Sequence, residues 1–134
     1  MFDVLDIGAS GLQVQRTRLD TIAANIANVN TTKDAAGRPN PYRRRFVVFA
    51  PGQSGNPDAP GVRVRDVKLD PSPFNLRHEP WNPEADAQGY VKYPNIDMAI
   101  EYVNALEASR AYEANISLLE TSKAMLNSTL RLIA

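Results

Sequence analysis

The stretch from residue 98 to residue 134, MAIEYVNALEASRAYEANISLLETSKAMLNSTLRLIA, decides the fold because it contains neither proline nor glycine. One row of mostly apolar residues recurs at every seventh position, and a second row follows four residues behind it. The pattern predicts a helix from about Ile96 to Ala134 with Asn95 as its N-cap, roughly 55–60 Å long at about 1.5 Å per residue. The first row comprises Met98, Ala105, Tyr112, Leu119, Leu126 and Ile133, and the second comprises Tyr102, Ser109, Ile116, Lys123 and Leu130.

A third apolar row, Leu118, Met125 and Leu132, lies on another side of the same helix. A helix that is apolar on two sides near its end needs more than one neighbour. A chain of this length with one other long helix supplies only one such neighbour. The third apolar row therefore predicts contacts with other molecules. The candidate assembly residues of this helix are Tyr112, Ile116, Leu118, Leu119, Met125, Leu126, Leu130, Leu132 and Ile133.

The first 30 residues carry a second helical pattern with the same seven-residue spacing. The helix is firmest from Ala9 to Asn28, and it is expected to end in the run NVNTT at 28–32, whose side chains bond local backbone. Asn25 and Asn28 are poor helix formers, and their amides are well placed to bond a neighbouring helix or backbone. The candidate assembly residues here are Leu5, Leu12, Leu19, Ile22, Asn25, Ile26 and Asn28.

The middle of the chain has a different composition, since all ten prolines lie between Pro39 and Pro94. Proline excludes a long helix there. Residues 42–50 (YRRRFVVFA) and 61–70 (GVRVRDVKLD) predict two strands, the second bulged near Asp66, with a loop at 53–60 between them. Residues 70–88 are expected to be extended or irregular, and residues 90–93 predict a short third strand.

The expected fold is therefore mainly α with a small β-rich insert, and the two long terminal helices pack as an antiparallel coiled coil. Residues 1–32 and 95–134 would form the helical domain, and residues 33–94 would form the Pro-rich insert.

Composition excludes several classes of function. With 15 basic and 15 acidic residues in 134, nothing indicates general affinity for nucleic acid or for an anionic membrane. No apolar run reaches 18 residues, so no transmembrane helix is expected, and no classical signal peptide is visible. The absence of cysteine excludes disulfides and thiolate chemistry. We expect no enzymatic activity, cofactor, metal or small-molecule substrate.

Two polar groups in the insert resemble reactive sites, and each has a simpler interpretation. Residues 84–89 (EADAQG) resemble the opening of a calcium loop, but the twelfth position is Asn95 and not the bidentate glutamate that such a loop needs. A polar turn is therefore favoured. The single histidine, His78, has no nucleophile-elbow sequence to accompany it, which favours an exposed loop residue over a hydrolase site.

Two further groups of residues also have simpler interpretations than a functional site. Trp81 lies among three carboxylates, Glu79, Glu84 and Asp86, but the surrounding Pro-rich run offers no rigid cleft in which two of them could cleave a glycan. The basic run at 43–45 suggests nucleic-acid binding. The rest of the chain is neutral, so a solvated strand end, or charge pairing with a neighbouring subunit, is favoured.

Several separate motifs together resemble the basal-body rod proteins of the bacterial flagellar rod and hook family. Residues 10–20 (SGLQVQRTRLD) and 24–32 (ANIANVNTT) are similar to the N-terminal signature of the whole family. The resemblance covers essentially the whole chain and is narrowed to a proximal-rod component by PYRR at 41–44, DPSPF at 70–74, PEADAQGYV at 83–91, YPN at 93–95 and SRAYEAN at 109–115. The sequence departs from the family at Trp81-Asn82, where a Gly-His or similar pair is common, and at Gln88, where an acidic residue is more usual.

The resemblance implies a structural subunit of the rod, the periplasm-crossing drive shaft that transmits torque from the motor to the hook. It implies as partners other rod proteins, further copies of the chain and the flagellar type III export apparatus, through which family members pass unfolded without a cleaved signal peptide. It also implies that the terminal helices form an inner layer and the middle segment an outer domain. We further expect the terminal segments to order as they dock, because two exposed heptad seams are costly in water.

Two other functions remain as alternatives. A soluble coiled-coil adaptor or export chaperone would use the same helices reversibly and form a discrete oligomer in solution. An enzyme acting on peptidoglycan would depend on Glu84 or Asp86.

Overall fold

The computed structural model describes the backbone of residues 2–134 and the side chains of residues 3–134. Along the chain, one helix precedes four short strands and a second helix follows them. The elements are α1 (Phe2–Ala27), β1 (Arg45–Pro51), β2 (Val62–Leu69), β3 (Asn75–His78), β4 (Tyr90–Tyr93) and α2 (Met98–Ile133). Both helices were expected, and α1 begins seven residues before the firm start that its sequence pattern indicated.

The first turn of α2 is capped by Asp97, whose carboxylate accepts hydrogen bonds from the amides of Ala99 and Ile100. The expected N-cap, Asn95, is wrong by two residues. Its side chain is used elsewhere: Oδ1 accepts from the Arg44 amide at 2.8 Å, and Nδ2 donates to the carbonyl oxygen of Asp70. Either residue type suits an N-cap, so the sequence alone did not separate them.

The two helices lie against each other and run in opposite directions. Near the start of α1, Gly8 lies against Leu119, and three residues later Gly11 lies against Asn115. At the other end of α1, Asn25 bonds Glu101. Glycine allows this close approach, because a Cβ atom at Gly8 would lie 2.7 Å from Leu119 Cδ2.

The expected antiparallel coiled coil is wrong, because the fully enclosed side chains of α2 belong to neither of the two heptad rows. The enclosed side chains of α2 are Glu101 and Ala108, each three residues after a member of the first row. The second row faces solvent instead, with Tyr102 58% exposed. A seam of glycine, alanine and polar side chains does not interlock as large apolar knobs do.

The insert forms two separate two-stranded antiparallel sheets, β1–β2 and β3–β4. The first confirms the predicted bulge, since the register shifts between Val48 and Phe49 and leaves Arg65 unpaired beside Asp66. β3 was missed, because residues 70–88 were expected to be irregular. With four strands beside two helices, the mainly α class is also wrong: the fold is a mixture of helix and strand.

Few side chains are fully enclosed. In the described part of the chain the buried apolar residues are Val14, Ile22, Val91, Ile96 and Ala108. The chain exposes 8955 Å², whereas a compact monomer of its mass exposes about 7,000 Å². The excess of roughly 2,000 Å² indicates an extended subunit with surface available to other molecules. Neither helix has a described segment whose length and hydropathy suffice to span a bilayer.

Candidate assembly interface

The side chain of Asn25 joins α1 to both other parts of the molecule. It is completely buried, and its Oδ1 accepts from the Arg45 amide at 3.0 Å while its Nδ2 donates to the Arg45 carbonyl oxygen at 2.8 Å. With these two bonds the Asn25 side chain pairs with the backbone of Arg45, the first residue of β1, as a neighbouring strand would. Nδ2 also lies 3.3 Å from Glu101 Oε2, and Tyr42 donates to Oδ1. The side-chain amide of Asn25, a poor helix former, therefore links the insert to α1 by hydrogen bonds.

Asn28 acts more locally. Its Nδ2 donates to the carbonyl oxygen of Ala24 at 2.8 Å, and its Oδ1 accepts from the Thr31 hydroxyl. These bonds hold the C-terminal end of α1 and the turn that follows it.

Glu101 is the buried charge at the centre of the junction. It lies in the first turn of α2, where the helix dipole favours an anion, and none of its surface is exposed. The guanidinium of Arg44 donates from Nε to Glu101 Oε1, and its NH1 lies 3.3 Å from Asp70 Oδ2. One arginine thus joins the start of α2 to the end of β2.

The charges of this cluster reinforce one another. Burial by itself lowers the pKa of Arg44, but the hydrogen bond and charge of Glu101, with those of Asp70, outweigh it and leave the pKa raised. The pKa of Asp70 is lowered, chiefly because Ser72 donates to the carboxylate and secondarily because Arg44 lies beside it. This cluster was not predicted from the sequence. Its only signal was the basic run at 43–45, which did not indicate a buried partner.

Beyond the junction, the third apolar row of α2 is exposed, increasingly so toward the C-terminus. The third row stands in solvent, with Leu118, Met125 and Leu132 exposed by 46%, 66% and 88%. The first half of α2 also carries a cluster of exposed apolar residues that was not predicted as an assembly surface. Its members are Ile100, Tyr102, Val103 and Leu106. An apolar surface of this extent is typical of an interaction site.

The predicted assembly residues divide by burial into three groups. Ile22 and Asn25 are buried. The half-buried residues flank the seam between the helices and are Leu5, Leu12, Leu19, Ile26, Asn28, Tyr112, Leu119 and Leu126. The exposed residues are Ile116, Leu118, Met125, Leu130, Leu132 and Ile133.

The carboxylates of the insert serve local structure. Asp86 Oδ1 accepts from the amides of Gln88 and Tyr90, which lowers its pKa and forms the expected polar turn. The pKa of Glu79 is lowered because Asn82 and Tyr93 donate to it. Among residues 3–134, no group of three or more His, Asp or Glu side chains is arranged to hold a metal ion.

Two family models match the chain, and each covers most of one helix. Residues 5–33 match the model described as "Flagella basal body rod protein". Residues 87–132 match the model described as "Flagellar basal body rod FlgEFG protein C-terminal".

Curated relatives match along nearly the whole length. The flagellar basal-body rod protein FlgC of Salmonella typhimurium is 43% identical over 136 residues, covering 98% of this chain and 97% of the relative. The FlgC proteins of Yersinia enterocolitica and Bacillus subtilis are 40% and 37% identical, with the same coverage of both chains.

Proposed function

The chain belongs to the FlgC family of flagellar basal-body rod proteins, and from this premise we propose that its helices assemble it into the rod through the apolar surface they leave exposed. It is a structural subunit of the rod and not an enzyme. The soluble adaptor or chaperone is not favoured, since the relatives that match over nearly the whole chain are rod proteins.

The exposed row Leu118, Met125 and Leu132 is the observation that supports the assembly surface. Its side chains gain most from a neighbour, since each fully buried apolar side chain contributes about 1.5–3 kcal/mol relative to exposure. The excess surface of the chain, roughly 2,000 Å², is more than twice the about 800 Å² that each partner contributes to a standard protein–protein interface. Neighbouring subunits would therefore complete the packing that a single chain lacks.

The division into two domains extends this proposal. Residues 1–32 and 95–134 would form the inner layer of the rod, because the exposed apolar rows lie on α2. Residues 33–94 would form the outer domain. The buried junction of Asn25, Arg44 and Glu101 supports a role in transmitting torque, since it fixes the insert to both helices by hydrogen bonds instead of a flexible linker.

Passage through the type III export apparatus is the further part of the proposal. A chain exported unfolded must lose its structure readily and refold at its destination. The small number of buried apolar residues and the absence of cysteine both favour such a chain. Recovery of this protein outside the cytoplasm only when the export apparatus is intact would test this step.

The assembly surface is tested by Met125→Asp in a strain that lacks the native gene. The charge cannot enter an apolar interface, so we expect no complete rods by electron microscopy of purified basal bodies. Asn127→Asp is the matched control, since it adds the same charge to the polar side of α2 two residues away, and we expect normal rods.

Two accompanying measurements exclude trivial causes. Circular dichroism of the purified chains should show equal helix content in both variants, and immunoblots should show equal export. Rods of normal number with Met125→Asp would contradict the proposed surface, and intact flagella without the chain would contradict the rod role itself.

A further inference from the structure

Trp81 is the most exposed aromatic side chain in the described part of the protein, at 80%. The loop that presents it is held by its own hydrogen bonds. Asn82 donates from its backbone amide to the Glu79 carbonyl oxygen at 3.0 Å and from Nδ2 to Glu79 Oε2 at 3.0 Å, while its Oδ1 accepts from the Glu84 amide at 2.9 Å. An exposed tryptophan on a fixed loop is suited to binding a partner, because little further ordering is needed.

A surface cavity on another part of the molecule is suited to such a side chain. It lies between α1, β1 and α2 and has a volume of about 280 Å³. Its apolar lining includes Ile22, Phe46 and Phe49, and Arg45 adds positive charge. Trp81 of the same chain does not line this cavity.

The charges of the two surfaces are opposite. Residues 79–91 contain three carboxylates and no lysine or arginine. Three arginines line the cavity. Two of them are already paired, Arg44 with Glu101 and Asp70, and Arg18 with Glu107 at 3.6 Å.

Arg45 forms no ion pair among the described residues, and its guanidinium stands 5.4 Å from the Tyr42 ring. Trp81 therefore complements the apolar floor of the cavity. The carboxylates of Glu79 and Asp86, which form no ion pair among the described residues, complement the unpaired Arg45.

We propose that Trp81 of one copy inserts into this cavity of a neighbouring copy in the rod, with its acidic loop facing Arg45. The inference rests on the proposed function, since it places copies of this chain side by side in the rod. A projecting side chain and a cavity on different faces form a head-to-tail contact, which builds rings or open helical arrays instead of closed pairs. The contact also lies in the insert and at its junction with the helices, apart from the exposed end of α2.

Photocrosslinking in assembled basal bodies tests the contact. Trp81 is replaced by p-benzoylphenylalanine, which keeps an aromatic ring at the site, and the particles are irradiated. We expect an adduct of twice the chain mass, whose crosslinked peptide maps to Ile22, Phe46 or Phe49 of the second copy. The same photoreactive residue at Tyr102, an exposed aromatic of α2, is the control, and its adducts should map outside the cavity.

A second variant carries the photoreactive residue in the cavity, and it tests the same contact even if the variant at position 81 assembles poorly. With p-benzoylphenylalanine at position 49, the native Trp81 remains, and the adduct should map to residues 79–86 of another copy. Trp81→Ala should lower the yield of this second adduct about thirtyfold, the effect of truncating a central interface residue. Adducts from both positions on a different protein, or elsewhere on this chain, would overturn the contact. Intact rods in those particles would leave the proposed function standing.

Discussion

In the first half of α2, Glu101 and Ala108 are completely enclosed, whereas in the second half Met125 and Leu132 are 66% and 88% exposed. Both halves carry the same seven-residue spacing and belong to one uninterrupted helix. They differ first in orientation, since Met125 and Leu132 lie on another side of the helix, and second because α1 is shorter. Gly8 lies opposite Leu119, and α1 begins six residues before Gly8. Because the helices are antiparallel and have the same rise per residue, the N-terminal end of α1 lies opposite about residue 125 of α2.

The difference separates residues that build the subunit from residues that build the assembly. The first half of α2 is fixed by hydrogen bonds to Asn25 of α1 and to Arg44, which directly precedes β1, and its central contacts are polar. The second half is apolar on a side that no part of the described chain covers. Mutations at the enclosed positions of the first half should therefore change the stability of the free chain, and mutations in the exposed third row of the second half should change assembly alone.

The largest effect on stability is expected for Glu101→Ala. Removing the carboxylate leaves the guanidinium of Arg44 and the amide of Asn25 without their buried acceptor, which should lower the free energy of unfolding by about 3–5 kcal/mol. Urea denaturation of the purified chain followed by circular dichroism measures it. The control Glu120→Ala, at an exposed position of the same helix, should stay within about 0.5 kcal/mol. A loss below about 1 kcal/mol for Glu101→Ala would mean that the junction forms only after docking.

Gly8→Leu should have the next largest effect. Even a Cβ atom at this position would meet Leu119 Cδ2 at 2.7 Å, so a larger side chain forces the helices apart. We expect a loss of about 1–3 kcal/mol in the same denaturation experiment. Ala9→Leu is the matched control, because it adds a leucine at the adjacent exposed position of α1. Equal stability of the two variants would show that the helices do not pack closely in the free chain.

A smaller effect is expected from pH, through Asp70. The pKa of this carboxyl is lowered in the folded chain, mainly by Ser72 and also by Arg44. Its contribution to stability is therefore complete above its unfolded pKa of about 3.9 and is lost as pH falls through the lower folded value. Denaturation midpoints measured from pH 6 down to pH 3 should fall less steeply for Asp70→Asn than for the native chain. Parallel curves would contradict this assignment.

The sequence predicted the periodic elements better than it predicted their contacts. Both helices, the β1–β2 pair, its bulge beside Asp66 and the strand at 90–93 followed from local patterns. The heptad spacing fixed the period of α2 but not which side would meet α1. Glycine at position 8 and alanine at position 108 decided that side, since small residues admit a close neighbour where large ones do not.

The junction was beyond sequence reasoning for a related reason. Asn25 was recognised as unusual in a helix, but its partners lie 20 and 76 residues away along the chain, at Arg45 and Glu101. Glu101 resembles any solvated helix glutamate until the packing encloses it. The exposed row at the end of α2 was predictable because it needed no partner within the chain, and its role in assembly remains a prediction.

The smallest effect on folding is expected for Leu132→Asp, in the last turn of α2. This side chain is 88% exposed, so its replacement removes almost no contact within the chain and should change the free energy of unfolding by no more than about 0.5 kcal/mol. Hydrogen exchange of the free chain gives a second measurement: amides near residue 132 should exchange much faster than those near Ala108, because no part of α1 lies beside them. A loss of 2 kcal/mol or more, or protection equal to that at Ala108, would mean that the end of α2 folds back on its own chain. The contrast between the two halves would then disappear, and with it the reason to assign the second half to neighbouring subunits.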